Sequence, residues 1–168
     1  MTAKSAVAPL SRPFRVDRLP RDRAGIVIKA TPEEEAALAA DFRIPAVRDL
    51  VGQLQWSGTS AHLVITGTVS AVVTQVCTIS LEPFEAEVSE PVEIVFSDRE
   101  PEKEAGDEET DIPDPIVNGT IDLGQVTAEF LALGLDPYPR KPGIAFEPVA
   151  EERESPLAIL KALKQDDA

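Results

Sequence analysis

The sequence predicts an α+β fold: a twisted antiparallel sheet or partly closed β-barrel with a few short packed helices. Two observations carry that expectation. Residues 46–97 are rich in β-branched side chains that alternate with polar or acidic ones, so one face meets a core and the other meets water. Short turns join these runs, as they do in antiparallel sheets and barrels. Helical spacing is confined to brief segments on either side. With 168 residues, 43% of them hydrophobic, the chain is long enough for one core without disulfides or a structural metal.

The elements follow in order. The first eleven residues are small and mixed, and are expected to fray. Phe14, Val16 and Leu19 form a short alternating run, and residues 25–30 form a second, with Pro20 and Asp22 in the turn between them. Thr31-Pro32-Glu33-Glu34 is a strong helix start: an N-cap threonine, proline in the first turn, early acids, and Glu34 placed to close a capping box. Ala37, Leu38 and Phe42 continue at helical spacing, and Pro45 ends the segment.

Val47, Leu50, Leu54 and Trp56 lead into a turn at Ser57-Gly58-Thr59. Residues 62–77 are too long for one flat strand, and Gly67 is the natural place for a bulge or bend. A reversal at Leu81-Glu82-Pro83-Phe84 opens two further runs, Phe84/Ala86/Val88 and Val92/Ile94/Phe96, both alternating with acids. Residues 97–118 carry almost no apolar material before Ile112, so an acidic loop over about 98–118 is expected to be disordered. Val126, Phe130, Leu133 and Leu123 then share a helical face, capped by Asp122 or a neighbour. Three prolines within residues 137–142 make that stretch irregular. Ser155-Pro156 starts a last amphipathic helix with Leu157, Leu160 and Leu163.

Charge separates the chain into regions. The net charge is −14, yet residues 1–30 carry five more bases than acids, and residues 98–114 carry seven more acids than bases. A surface of that average sign repels free nucleic acid, whose binding depends on neutralised phosphates. The basic arm could still grip RNA through Arg12, Arg15, Arg18, Arg21 and Arg23, or present them outward from an exposed strand. Tyr138, Arg140 and Lys141 sit in the proline-stiffened loop, where contact groups lose little entropy on binding. The alternative is that Tyr138 packs on its helix and Arg140 pairs with an acid.

Catalytic groups are scarce. One cysteine and one histidine cannot build a usual four-ligand zinc site. No glycine-rich phosphate loop is present, and no apolar run reaches the ~20 residues that span a bilayer. Cys77 reads as a small buried hydrophobe with nothing nearby to lower its pKa. A redox or catalytic protein centred on Cys77 is the competing function. No enzyme activity, cofactor, membrane contact or small-molecule substrate is expected, and the absence of a signal sequence points to the cytoplasm.

The run Gln75-Val76-Cys77-Thr78-Ile79-Ser80-Leu81-Glu82-Pro83-Phe84 resembles the Cys-centred signature of the YceD family, named for large ribosomal RNA subunit accumulation. The resemblance continues through Glu93-Ile94-Val95-Phe96, Ile121-Asp122-Leu123-Gly124, residues 133–143 and residues 155–161, and takes in Pro13-Phe14. Its most characteristic positions here are Cys77, Glu82, Pro83, Asp122 and Pro139. Many relatives carry a second cysteine where this chain has Ser80, so no metal role is carried over. The resemblance implies a single domain over residues 12–168. It also implies a non-enzymatic bacterial factor needed for 23S rRNA levels and large-subunit assembly. Its partner would be a pre-ribosomal particle, contacted through 23S rRNA or through a basic large-subunit ribosomal protein.

Overall fold

The computed structural model describes residues 8–19, 25–99 and 112–145. Three long strands form its centre: β3 (Ala46–Thr59), β4 (His62–Val76) and β5 (Pro83–Ser97). They run antiparallel, β3 against β4 and β4 against β5. A short β2 (Ile26–Lys29) pairs antiparallel with β3. Beyond β5, β6 (Asp114–Pro115) adds two residues in parallel. The sheet order is β2-β3-β4-β5-β6, open and not closed into a barrel. A separate two-stranded ribbon joins β1 (Pro13–Arg15) to β7 (Thr120–Asp122).

Helix α1 (Pro32–Phe42) starts as its sequence dictates. The Thr31 hydroxyl accepts from the Glu34 N–H, and the Glu34 carboxylate accepts from the Thr31 N–H. It ends at Arg43, whose left-handed backbone closes the last turn. Helix α2 (Leu123–Leu133) buries Leu123, Val126, Thr127 and Leu131. The core joins these to Leu38 of α1 and to the sheet residues Leu50, Leu54, Ile65, Val69 and Val73. On β4 the odd-numbered positions are buried except half-buried Gly67, while the even-numbered ones are exposed or half-exposed. One sheet face therefore holds the core, and among the described residues the other is uncovered.

Several expectations are corrected. Gly67 marks no bulge: β4 runs through it and pairs with β5 without a register shift. Glycine is needed there because β3 comes close, and a Cβ would stand 2.0 Å from the Gln53 carbonyl oxygen. The bulge lies instead in β3, between Arg48 and Val51. The two N-terminal strands do not pair with each other; β1 meets β7 and β2 meets β3. Val16 leaves the strand for a 3-10 turn over Val16–Arg18. β3 continues through Thr59, and β5 continues through Pro91. The apolar face of α2 carries Leu131, and Leu133 is 70% exposed.

The chain is ordered in places expected to be loose. Leu10 is fully buried and anchors residues 8–11 to the core. Of the acidic stretch at 98–118, residues 100–111 lie outside the described residues. Its later part forms β6, held by half-buried Ile116, whose N–H donates to the Ser97 carbonyl (2.9 Å). The C-terminal helix expected from Ser155 onward also lies outside the described residues.

Candidate functional site

Three places bear on function: a junction at Asp122, a loop tip at Cys77, and the open sheet face. The junction draws together segments far apart in sequence. As N-cap of α2, Asp122 accepts from the backbone N–H groups of Gly124 and Gln125, both at 3.0 Å. It also accepts from the Arg12 N–H (2.7 Å) and the Ser11 hydroxyl (2.5 Å). The chain passes so close here that a Cβ on Gly124 would stand 2.7 Å from the Arg12 backbone nitrogen.

Arg12 serves this junction. Its guanidinium forms a two-pronged ion pair with Glu34, at 2.7 and 2.8 Å, and so ties the lead into β1 to the start of α1. The Glu34 hydrogen bond holds the Arg12 pKa above its ordinary value. Arg12, and after it the Thr31 N–H, hold the Glu34 carboxyl below its own. Arg15 pairs with Asp17 at 2.9 Å on the surface. Arg18 is exposed and makes no ion pair among the described residues, while Arg21 and Arg23 lie outside them. The arginine cluster read from the sequence is thus three described residues in three different situations.

At the loop tip, residues 77–82 close on themselves. The Cys77 N–H donates to the Glu82 carbonyl (2.9 Å) and the Leu81 N–H to the Cys77 carbonyl (3.0 Å). The proline-rich loop is tied on from outside. The Thr78 N–H and hydroxyl both donate to the Pro139 carbonyl (2.9 and 3.2 Å), and the Gln75 amide donates to the Asp136 carbonyl (3.0 Å). Lys141 donates to Glu82 at 2.8 Å. That bond holds Glu82 below its ordinary pKa and Lys141 above its own. The signature positions Cys77, Glu82 and Pro139 therefore meet in one knot, with Pro83 starting β5 beside it. Asp122 stands apart at the other junction.

The tip presents apolar groups to solvent. Tyr138 is 73% exposed and Leu81 is 75% exposed. Arg140 is exposed and makes no ion pair among the described residues. Leu81 has φ +59°, a left-handed conformation unusual for a bulky side chain. Leu81 carries no sequence signal for this role, because nothing in its residue type announces such a turn. The bond by which Cys77 Sγ accepts from the Ser80 N–H (3.4 Å) has no sequence signal either.

Cys77 is fully buried, and its surroundings differ from the apolar ones expected. The Ser80 hydroxyl, then the backbone N–H groups of Ser80, Lys141 and Ile79, lower its pKa from 9.0 to about 6. A cysteine–histidine pair does not form. His62 opens β4 and Cys77 follows its last residue, which separates them by roughly 50 Å of extended strand. Among the described residues, no three His, Cys, Asp or Glu side chains converge on a metal-sized site.

The open face carries small polar residues across β3 and β4: Gln53, Gln55, Thr66, Thr68, Ser70 and Thr74. Along β5 it turns acidic, with Glu85, Glu87 and Glu93 exposed. Glu85 pairs with Arg48, which reaches across from β3. No described helix is long and apolar enough to cross a membrane.

Fold and site together define an α+β protein whose conspicuous groups lie on a loop tip and an open sheet face. Residues 65–164, from near the start of β4 onward, match the family described as large ribosomal RNA subunit accumulation protein YceD, and the chain belongs to that family. Membership links it to the large ribosomal subunit and to the accumulation of its RNA. No curated protein and no solved structure matches the chain.

Proposed function

We propose that the protein is a non-enzymatic factor that supports 23S rRNA accumulation by binding a pre-ribosomal particle in the cytoplasm, and that it grips a basic large-subunit ribosomal protein there. The observation that carries this reading is the disposition of charge. Glu87 and Glu93 stand exposed on the uncovered sheet face beside Glu85, which pairs with Arg48, whereas Arg12 and Arg15 are engaged by the chain's own Glu34 and Asp17. That face also lacks any Phe, Tyr or Trp on which bases could stack. A net charge of −14 favours shielding a cation over neutralising phosphates. The function needs no cofactor.

A second reading, direct contact with 23S rRNA, draws support from the loop tip. Exposed Tyr138 beside Arg140 is the pairing that stacks on unpaired bases and grips phosphate. The experiment that separates the two is capture of partners by the full chain with and without ribonuclease. Large-subunit proteins retained after ribonuclease support the first reading, and their loss supports the second. Under the RNA reading, Tyr138→Ala and Arg140→Ala should weaken binding to rRNA fragments, and Arg140→Ala should reduce the salt slope by about one unit.

A further inference from the structure

Strand β5 lies next to the edge of its sheet, and its outer side is almost empty. β6 pairs with it only at Phe96 and Ser97. Along residues 83–95, no described backbone group bonds to that side. An open row of N–H and C=O groups is a template for another strand. Pro83 and Pro91 bound a proline-free run of seven residues, 84–90, on which such pairing would be uninterrupted.

The two faces of that run specify what would fit. On the open face, Glu85 and Glu87 are exposed; Arg48 of β3 reaches Glu85 from one side, and Glu87 has no ion pair among the described residues. On the core face, Phe84 and Ala86 are only half-buried, although their β4 neighbours Gln75 and Val73 are buried. The core thus stops one strand short of being covered. An added strand with cations on one side and apolar side chains on the other would neutralise the first row and extend the second. Farther along the same edge, Glu93–Val95 and Ile112–Asp114 enclose an open cleft of about 500 Å³, so the path continues past Pro91.

We propose that residues 84–90 of β5 bind an extended segment of a basic protein by strand addition, selecting alternating basic and apolar side chains. This rests on the protein-contact reading above and gives it a place on the molecule. Backbone pairing supplies the affinity, while the glutamates set the sign of the partner and speed its arrival.

The test uses the full chain and a short end-blocked peptide alternating lysine with valine. Binding is read by fluorescence anisotropy, and its location by hydrogen exchange. Backbone amides within 84–90 are expected to gain protection. Methylating alternate backbone nitrogens of the peptide, or introducing Glu85→Lys with Glu87→Lys, should each weaken binding about tenfold. The milder Glu85→Gln, Glu87→Gln pair should weaken it less, with circular dichroism unchanged. Undetectable binding, equal affinity for the methylated peptide, protection elsewhere, or protection of these amides by single-stranded RNA would each overturn the proposal. Its failure is distinct from failure of the broader reading. Loss of ribosomal proteins on ribonuclease treatment sinks the protein-contact reading. Persistent capture that the charge reversal leaves untouched, with no protection of β5, sinks the edge assignment alone.

Discussion

The junction at Asp122 and the knot at Pro139 both tie together segments more than fifty residues apart, but they are built of different material. At Asp122 one carboxylate accepts four hydrogen bonds, half-buried, and a two-pronged Arg12–Glu34 pair stands beside it. At Pro139 the ties are neutral bonds from Thr78 and Gln75 to two carbonyls, and the ion pair of Glu82 with Lys141 is exposed. The first arrangement resists disruption because its partners are committed to one another and partly shielded from water. The second fixes the direction of a loop at little cost in surface charge, which suits a tip offered to a partner. Cationic residues that look alike in the sequence therefore stand in unlike settings: Arg12 ties the fold together, and Arg140 is exposed with no ion pair among the described residues.

This contrast can be broken, and the largest effect should come first at Asp122. Asp122→Ala removes the cap and the ties to Ser11 and Arg12, and should cost about 3 kcal/mol in denaturant unfolding. Asp122→Asn, which keeps a cap oxygen, should cost clearly less. Arg12→Ala should cost about 1 kcal/mol, a figure discounted for the partial exposure of the pair. If Arg12→Ala instead leaves stability unchanged and weakens partner binding, its role as a structural tie is wrong.

At the knot, Glu82→Gln should change stability by no more than about 0.5 kcal/mol, since an exposed ion pair contributes little. Hydrogen exchange at 78–82 would sharpen the comparison, because faster exchange without a shift in melting temperature would show a loosened tip on an intact fold.

A separate effect concerns pH. The folded Cys77 has a pKa of about 6 against 9.0 ordinarily, so folding favours its thiolate. Its contribution to stability is fully present above pH 9 and is lost as pH falls through about 6. Relative to Cys77→Ala, the native chain should therefore gain stability between pH 6 and 9, measured by unfolding at each pH. Burial should still keep the native thiol slow toward alkylation, with fast reaction once the chain is unfolded.

The local signals were readable. Helix α1 has the bounds its sequence implies, Pro32–Phe42, because cap, proline and acids all act within one turn. The Asp122 cap was readable for the same reason. The acid–apolar alternation of β5 showed which face meets the core, but not that the strand would stay nearly unpaired on its outer side. What Arg12 does was not readable, since Glu34 is 22 residues away and Asp122 is 110 away. A three-residue strand such as β1 carries too little pattern to reveal β7 as its partner. The donors around Cys77 stayed hidden because they depend on a turn that Leu81 enters against its residue type.

The bulge in β3 sets where the chain can change in length. Val47 and Leu50 are both buried although three positions separate them, because Asp49, at φ +55°, takes up one extra residue. Deleting that residue would set Leu50 directly opposite Ala71 with no bulge, and would keep Val47 toward the core and Arg48 on the open face. At Ser60 and Ala61, between β3 and β4, an inserted residue lengthens only a turn. The chain should therefore tolerate an insertion at the hairpin and the loss of the single extra residue at 49, a position that is exposed and carries an ordinary aspartate.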